Sequence, residues 1–132
     1  MQQPNIDWAN LPFGYLPTDY NVRCYYRNGA WGEIETSSSE YINLHMAATC
    51  LHYGQEAFEG LKAYRCPDGK IRAFRIEENA ARMQHTAQGI LMAEMPTDKF
   101  CEMVRRVILL NERFIPPYET GAALYIRPLL IG

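Results

Sequence analysis

The sequence predicts an α+β fold, in which a mainly antiparallel sheet built from hairpins packs against two main helices. Two turn signals carry this prediction: Asn28-Gly29 and Pro67-Asp68-Gly69 each lie between two strand-like runs. Two helical patterns follow, and a largely apolar strand comes last. A parallel sheet would need strands and helices in regular alternation, so this order favours antiparallel pairing.

Composition narrows the classes of protein to consider. With 132 residues, of which 48% are hydrophobic, the chain is long enough for one domain with a modest core. A net charge of -2 gives no reason to expect nucleic acid or an anionic membrane as partner. No apolar run is long enough to span a bilayer. The first residues lack the pattern of a secretory signal, which makes the cytoplasm the expected location.

The cysteines and histidines do not predict a metal site. Four cysteines and three histidines are scattered along the chain, and no two cysteines form a CxxC pair. A zinc site needs paired ligands at short spacing. We therefore expect no metal, and reduced thiols that are partly buried.

The N-terminal part is predicted as an arm followed by a hairpin. Residues 1–20 are rich in turn-forming residues, with a turn expected near Pro12-Phe13-Gly14, and their aromatic side chains suggest that the arm packs onto the domain at 21–132. The hairpin joins Val22–Arg27 to Ala30–Thr36 through the Asn-Gly turn, because both turn residues tolerate positive φ.

Shorter elements are expected next. Glu40–Leu44 is interpreted as a further strand, and His45–Tyr53 as a short helix that ends at Gly54. Strands are then predicted at Phe58–Arg65 and Ile71–Arg75, on either side of the second turn.

The first main helix is predicted from Ile76 to about Gln88, with two glutamates in its first turn. Its spacing predicts one buried face and a polar remainder. The buried face is Ile76, Ala80, Met83 and Ala87, and the residues expected off that face are Asn79, Arg82 and Thr86.

The second helix is predicted from an N-cap at Thr97 to about Phe114. Its apolar stripe is Phe100, Val104, Val107 and Ile108. A final strand is expected at Ala122–Ile131, at a sheet edge or with a bulge, because Pro128 has no N–H to donate. The chain stops inside this apolar run, so we expect it to be part of a larger protein.

Three side chains in these elements could carry chemistry. Tyr125 and Arg127 are two apart on a strand and share one face, where they could clamp a carboxylate or simply face solvent. Arg82, on the polar side of a helix, is either an ordinary surface residue or a phosphate ligand.

Glu59 raises a separate question of charge. It shares a strand face with Leu61 and Ala63, so if that face is buried the carboxylate needs a partner, either Lys62 or a nearby arginine.

Four blocks of sequence resemble the branched-chain amino acid aminotransferases, which belong to the fold-type IV enzymes that use pyridoxal phosphate. They are HYGQEAFEGLKAYR at 52–65, DGKIRAFR at 68–75, NAARM at 79–83 and LYIRPLLIG at 124–132. The resemblance implies the small N-terminal domain of such an enzyme. The lysine that forms the Schiff base lies in the family's large C-terminal domain, and Lys62, Lys70 and Lys99 do not match it. No catalytic residue is therefore expected here, and the chain alone is expected to be inactive.

The resemblance also implies roles for five residues. Arg82 matches the arginine that binds the cofactor phosphate, and Tyr53 and Phe58 match aromatic residues that line the substrate side-chain pocket. Tyr125 matches the tyrosine near the substrate carboxylate, and Arg127 matches an arginine implicated in binding the acidic co-substrate or in ordering the site. The implied substrates are leucine, isoleucine or valine with 2-oxoglutarate, and the implied assembly is a homodimer.

Two alternatives stay open. One is another fold-type IV enzyme, a D-amino acid aminotransferase or aminodeoxychorismate lyase. The other is a non-catalytic binding or dimerisation module with the same fold.

Overall fold

The computed structural model of the protein describes residues 5–8 and 15–132. Within these ranges, nine short strands form four antiparallel sheets, and three α-helices accompany them. The predicted α+β class is confirmed. The turn predicted near Pro12-Phe13-Gly14 lies outside the described residues, as does half of the predicted arm.

The N-terminal hairpin consists of two pairings around the predicted Asn-Gly turn. Strand β1 (Asn21–Arg23) pairs with β4 (Glu35–Ser37), and β2 (Tyr26–Arg27) pairs with β3 (Ala30–Trp31). Asn28 and Gly29 both have positive φ, at 54° and 81°, which confirms the turn. The register differs by one residue between the two pairings, so the predicted continuous strands contain a bulge.

The strand predicted at Glu40–Leu44 is wrong. Residues 40–44 belong to none of the described strands, and within them the Tyr41 backbone oxygen accepts a hydrogen bond from the Arg23 guanidinium at 2.9 Å. The helix expected at His45–Tyr53 is confirmed only as α1 (Thr49–His52), and Gly54 follows it with a φ of 63°.

Each of the two longest predicted strands is replaced by two shorter strands. Strands β5 (Glu56–Phe58) and β6 (Leu61–Arg65) replace the first, and β8 (Leu124–Ile126) and β9 (Leu129–Ile131) replace the second. The β5–β9 and β6–β8 pairings share one register, which places Glu59 opposite Pro128. We call this paired stretch, 56–65 against 124–131, the central ladder. It is interrupted where Pro128 lacks an N–H.

Strand β7 (Ile71–Ala73) adds a third strand to β6 across the Pro67-Asp68-Gly69 turn. The turn is confirmed, because Gly69 has a φ of 81° and the Asp68 carboxylate accepts a hydrogen bond from the Lys70 backbone at 3.0 Å. Strand β7 ends two residues before the predicted Arg75, which itself has a left-handed backbone.

Helix α2 (Ile76–Gly89) matches the first predicted helix closely, and Ala80, Met83 and Ala87 are buried as expected. The prediction for Asn79 is wrong. Only 6% of Asn79 is exposed, because its amide turns inward and donates to Glu59 and to the backbone oxygen of Gly60.

Helix α3 (Thr97–Leu110) starts one residue earlier than predicted, so that Thr97 lies inside it and is not its N-cap. The Thr97 hydroxyl instead accepts a hydrogen bond from the Gln84 amide of α2, at 3.1 Å. The helix ends at Leu110, and a separate turn of 3-10 helix covers Glu112–Phe114.

The core lies between the β7-β6-β8 sheet and the two main helices. Its buried members come from β6, β8, α2, α3 and the segment after α3: Leu61, Ala63, Ile126, Ala80, Met83, Phe100, Val104, Ile108 and Ile115. Burial of these apolar groups is the main force that fixes the helices on the sheet.

The last residues of the arm are held at the end of α3 by polar contacts. The buried Asn111 amide oxygen accepts hydrogen bonds from the backbone N–H groups of Asp19 and Tyr20, each at 3.0 Å. Arg113 donates to both carboxylate oxygens of Asp19 at 2.6 Å, which holds the pKa of that carboxyl below its ordinary value.

Three further findings concern residues 5–8 and 15–132. The four cysteines, all in these ranges, are half-buried and unpaired. These residues contain no cluster of three or more histidine, cysteine, aspartate or glutamate side chains that could bind a metal ion. None of the helices described has the length and apolar character that a membrane crossing requires.

Candidate functional site

A cleft of about 450 Å³ opens where the central ladder meets α2. Arg82 of α2 and Tyr125 of β8 both border it, although 43 positions separate them in the chain. The segment at Gly60–Lys62 and the start of α2 complete its walls. The structure therefore brings two of the five sequence-predicted site residues to one opening.

Arg82 is oriented in this cleft by a carboxylate. Its Nη2 and Nε atoms donate to the same Glu59 oxygen, Oε1, at 2.6 and 3.0 Å. The Glu59 carboxylate also raises the pKa of the Arg82 guanidinium above its ordinary value, so the side chain stays cationic. The partner that the sequence left open for Glu59 is thus an arginine.

The two members of this ion pair differ in exposure. The Glu59 side chain is 11% exposed, whereas the Arg82 side chain is 67% exposed. A guanidinium with this much surface in water can still meet an anion, while the carboxylate beneath it is largely shielded. The Glu59–Arg82 pair therefore differs from an ion pair on the surface, in which both side chains are exposed.

Arg127 and Tyr125 are in contact, as their spacing on a strand predicts. The Arg127 Nη2 atom donates to the Tyr125 hydroxyl at 2.9 Å. The guanidinium carbon also lies 4.5 Å from the centre of the Phe58 ring, in cation-π geometry. Three predicted site residues therefore form one group at the interruption of the central ladder.

Gly60 makes this packing possible. A Cβ atom built at position 60 would overlap the Tyr125 hydroxyl and would lie 3.0 Å from the ring carbon that bears it. A glycine is therefore required for the phenol to lie against the backbone at this point. The sequence analysis did not single out Gly60; a glycine inside a predicted strand was the available signal.

Tyr53 lies apart from this group. It borders a second opening of about 290 Å³, together with Gly54, Gln55 and Ile90. Tyr53 is 84% exposed, and the centre of its ring lies 6.5 Å from the centre of the His52 ring. The structure does not bring Tyr53 into the cleft that Arg82 and Tyr125 border.

Gln55 fixes the backbone beside Tyr53, and sequence reasoning missed it. Its amide nitrogen donates to the Ile90 backbone oxygen at 2.6 Å, and its amide oxygen accepts from the Thr49 hydroxyl at 2.6 Å. These bonds tie α1 to the end of α2. A single half-buried glutamine that bonds to two separate segments leaves no periodic signal in the sequence.

Positive charge is concentrated around the first cleft. Arg75, Lys62 and Arg82 all border it, and Glu78 lies 3.7 Å from the Arg75 guanidinium. An opening with several cations and a tyrosine hydroxyl can bind an anionic group, because guanidinium and hydroxyl groups donate to phosphate or carboxylate oxygens.

Comparisons with known proteins identify relatives of this chain. No protein-family model matches the chain. The branched-chain-amino-acid aminotransferase of Haemophilus influenzae is 45% identical over 128 residues, which is 97% of this chain and 37% of that protein. The enzyme of the same name from Helicobacter pylori is 42% identical over 97% of this chain and 38% of its own length.

A solved structure gives the same result for the fold. The crystal structure of Escherichia coli branched-chain amino acid aminotransferase is 27% identical, with a TM-score of 0.63, over 86% of this chain and 33% of that one. The chain thus spans about a third of the length of the relatives it matches, and the match is to their N-terminal part. These aminotransferases are its homologues.

Proposed function

We propose that this chain is the small N-terminal domain of a fold-type IV branched-chain amino acid aminotransferase. In the complete protein it would help transfer the amino group of leucine, isoleucine or valine to 2-oxoglutarate. The observation that carries the proposal is that Arg82 and Tyr125 border one cationic cleft. The similarity to aminotransferases over 97% of the chain supports the same proposal.

Pyridoxal 5′-phosphate is the cofactor we propose. The cleft suits the phosphate end of that molecule, because Arg82 is cationic, exposed and already oriented by Glu59. Guanidinium groups bind phosphate oxygens through charge-assisted hydrogen bonds. When bound, the cofactor supplies the electron sink that transamination needs. We assign Arg82 to binding its phosphate and assign no covalent chemistry to this chain.

We assign the Tyr125–Arg127–Phe58 group to the substrate. A branched aliphatic side chain needs apolar walls, which the exposed rings of Phe58 and Tyr125 can supply. Glutamate and 2-oxoglutarate carry a second carboxylate, which needs a cationic donor at the same place. Arg127 lies across both rings, at 4.5 Å from Phe58 and 5.3 Å from Tyr125, where it can accommodate either kind of substrate.

Tyr53 fits this scheme through a second copy of the protein. It is well exposed and borders a separate opening, so it does not line the first cleft of its own chain. We propose that it serves the substrate pocket of the neighbouring subunit in a homodimer. A ring of this size that stays in water is typical of a contact residue.

The proposal is tested by assaying the complete protein with pyridoxal phosphate. We expect glutamate to form from 2-oxoglutarate with L-leucine, L-isoleucine and L-valine, and not with D-alanine. Transfer from D-alanine without transfer from leucine would favour a D-amino acid aminotransferase instead. Absence of transfer from every amino donor, with the protein folded, would overturn the proposal and leave aminodeoxychorismate lyase and the binding module as the remaining interpretations.

A further inference from the structure

We propose that Glu59 is a positioning residue, whose carboxylate sets the orientation in which Arg82 meets the phosphate group of the cofactor. The inference rests on the role proposed for Arg82. Glu59 itself is assigned no contact with substrate or cofactor, since its side chain lies beneath the arginine and is largely shielded from solvent.

The contact between the two side chains fixes one edge of the guanidinium. Both Nε and Nη2 donate to the single oxygen Oε1, at 3.0 and 2.6 Å. Two donors on one acceptor restrict rotation about the last bonds of a side chain that otherwise has many rotamers. An arginine restricted in this way loses less conformational freedom when an anion binds.

Glu59 can act as a support because both its side chain and its backbone are held by other residues. The buried Asn79 amide donates to Oε1 at 3.0 Å, and the same nitrogen lies 3.3 Å from the Gly60 backbone oxygen. The Glu59 backbone N–H donates to the Pro128 oxygen at 3.0 Å, across the interruption of the central ladder. Glu59 thus bonds to α2 through its carboxylate and to the opposite strand of the ladder through its backbone.

This placement links the two halves of the proposed site. The two chain neighbours of Glu59 both contact the proposed substrate group. Phe58 lies under Arg127, and Gly60 lies against the Tyr125 phenol. The residue that orients the phosphate-binding arginine therefore lies between the two residues that position the substrate group. A shift of Glu59 would change the distance between the phosphate-binding and substrate-binding groups.

A positioning role and a purely electrostatic role predict opposite signs. The negative charge of Glu59 repels a phosphate, so a carboxylate acting through charge alone would weaken phosphate binding, and its removal would strengthen it. If the carboxylate acts by orienting Arg82, its replacement by a neutral amide would weaken phosphate binding, since neutral hydrogen bonds are weaker. The substitution Glu59→Gln separates the two while nearly preserving shape.

The experiment compares the affinities of the complete protein for pyridoxal 5′-phosphate and for pyridoxal, which lacks the phosphate. The ratio of the two dissociation constants isolates the phosphate contact from the rest of the binding site. This ratio is measured for the unaltered protein and for the variants Glu59→Gln, Arg82→Ala and the combination of both. Glu102→Gln is the matched control, because Glu102 also pairs with arginines, at 3.0 and 3.1 Å, on α3.

We expect Glu59→Gln to reduce the preference for the phosphorylated form by about tenfold, and Glu102→Gln to leave it unchanged. The double variant should lose no more than Arg82→Ala alone, because Glu59 acts through that arginine. A thermal melt of each variant without cofactor checks that the fold is retained.

Two other outcomes are decisive. If Arg82→Ala lowers the preference and Glu59→Gln leaves it equal or raises it, the positioning role is overturned while the proposed function stands. If Arg82→Ala itself leaves the preference unchanged, the phosphate role of Arg82 fails, and the inference about Glu59 fails with it.

Discussion

The N-terminal hairpin and the central ladder are both interrupted, and they are interrupted in different ways. In the hairpin, the register shifts by one residue between its two pairings, which is a bulge. In the central ladder, the register is the same on both sides of the gap, and the gap lies at Pro128. The first interruption changes the alignment of the strands, whereas the second preserves it.

The difference matters because of what lies at each gap. The hairpin gap holds the Cys24 thiol and the Gly32 carbonyl, 3.3 Å apart, and no residue that we assign to the site. The gap of the central ladder is surrounded by Phe58, Glu59, Tyr125 and Arg127. A break that keeps the register lets side chains on both strands meet across it, and a proline achieves this by removing one N–H.

The sharpest way to disturb the central ladder is Gly60→Ala. The added methyl would overlap the Tyr125 phenol and displace it, together with the Arg127 guanidinium that it accepts from. We expect kcat/KM of the complete protein for leucine to fall about 100-fold, as a misplacement of ~1 Å can cause. Steady-state kinetics with leucine and 2-oxoglutarate measure this.

The matched control for this variant is Gly89→Ala. A Cβ atom at Gly89, at the end of α2, would meet no atom within 4 Å. Its kinetics should therefore match those of the unaltered protein. Equal activities of the two variants would contradict the role of Gly60 in positioning Tyr125.

A smaller effect, on stability alone, is expected from Gly29→Ala in the N-terminal hairpin. Gly29 has a φ of 81°, where a side chain is strained, so we expect the free energy of unfolding to fall by about 1 kcal/mol. Urea denaturation of the cofactor-free protein measures this, and kcat/KM for leucine should not change.

Gly32→Ala serves as the control in the same hairpin. Its added Cβ would lie 3.5 Å from the Tyr25 backbone oxygen, an ordinary contact, and its backbone is outside the left-handed region. A loss of leucine turnover in Gly29→Ala would show that the hairpin and the central ladder are coupled. It would contradict our inference that the hairpin affects stability alone.

Local rules predicted the turns and helices of this chain well. Asn28-Gly29 and Pro67-Asp68-Gly69 are recognisable because few residues accept their backbone angles. Helix α2 is recognisable because apolar residues recur on one face. These signals act within a few residues, so one sequence suffices to detect them.

What the sequence could not predict depends on contacts between distant segments. Asn79 was assigned to the polar face of α2, but a buried Glu59 offers its amide a partner. The strand expected at Glu40–Leu44 does not form, and the Tyr41 carbonyl in that segment instead accepts a hydrogen bond from the distant Arg23 side chain. Pro128 predicted an irregularity in the last strand, but it did not predict that site residues would lie around it.

The candidate site divides in the same way. Spacing alone placed Tyr125 and Arg127 on one face, and the structure shows them in contact. The convergence of Arg82 on the same cleft could not be derived from spacing, because a helix and a strand far apart in the chain create it. The assignment of phosphate to Arg82 came from the family resemblance and stays a prediction.

The most direct test of that assignment is the dissociation constant of pyridoxal 5′-phosphate from the complete protein in two variants. We expect Arg82→Ala to weaken binding by about 100-fold, because a charge-assisted contact to the phosphate is lost, and Tyr125→Phe to change it far less. The substitution in Tyr125 removes one hydroxyl from the opposite wall of the same cleft. Equal affinities in the two variants would contradict the account and remove Arg82 from the phosphate site.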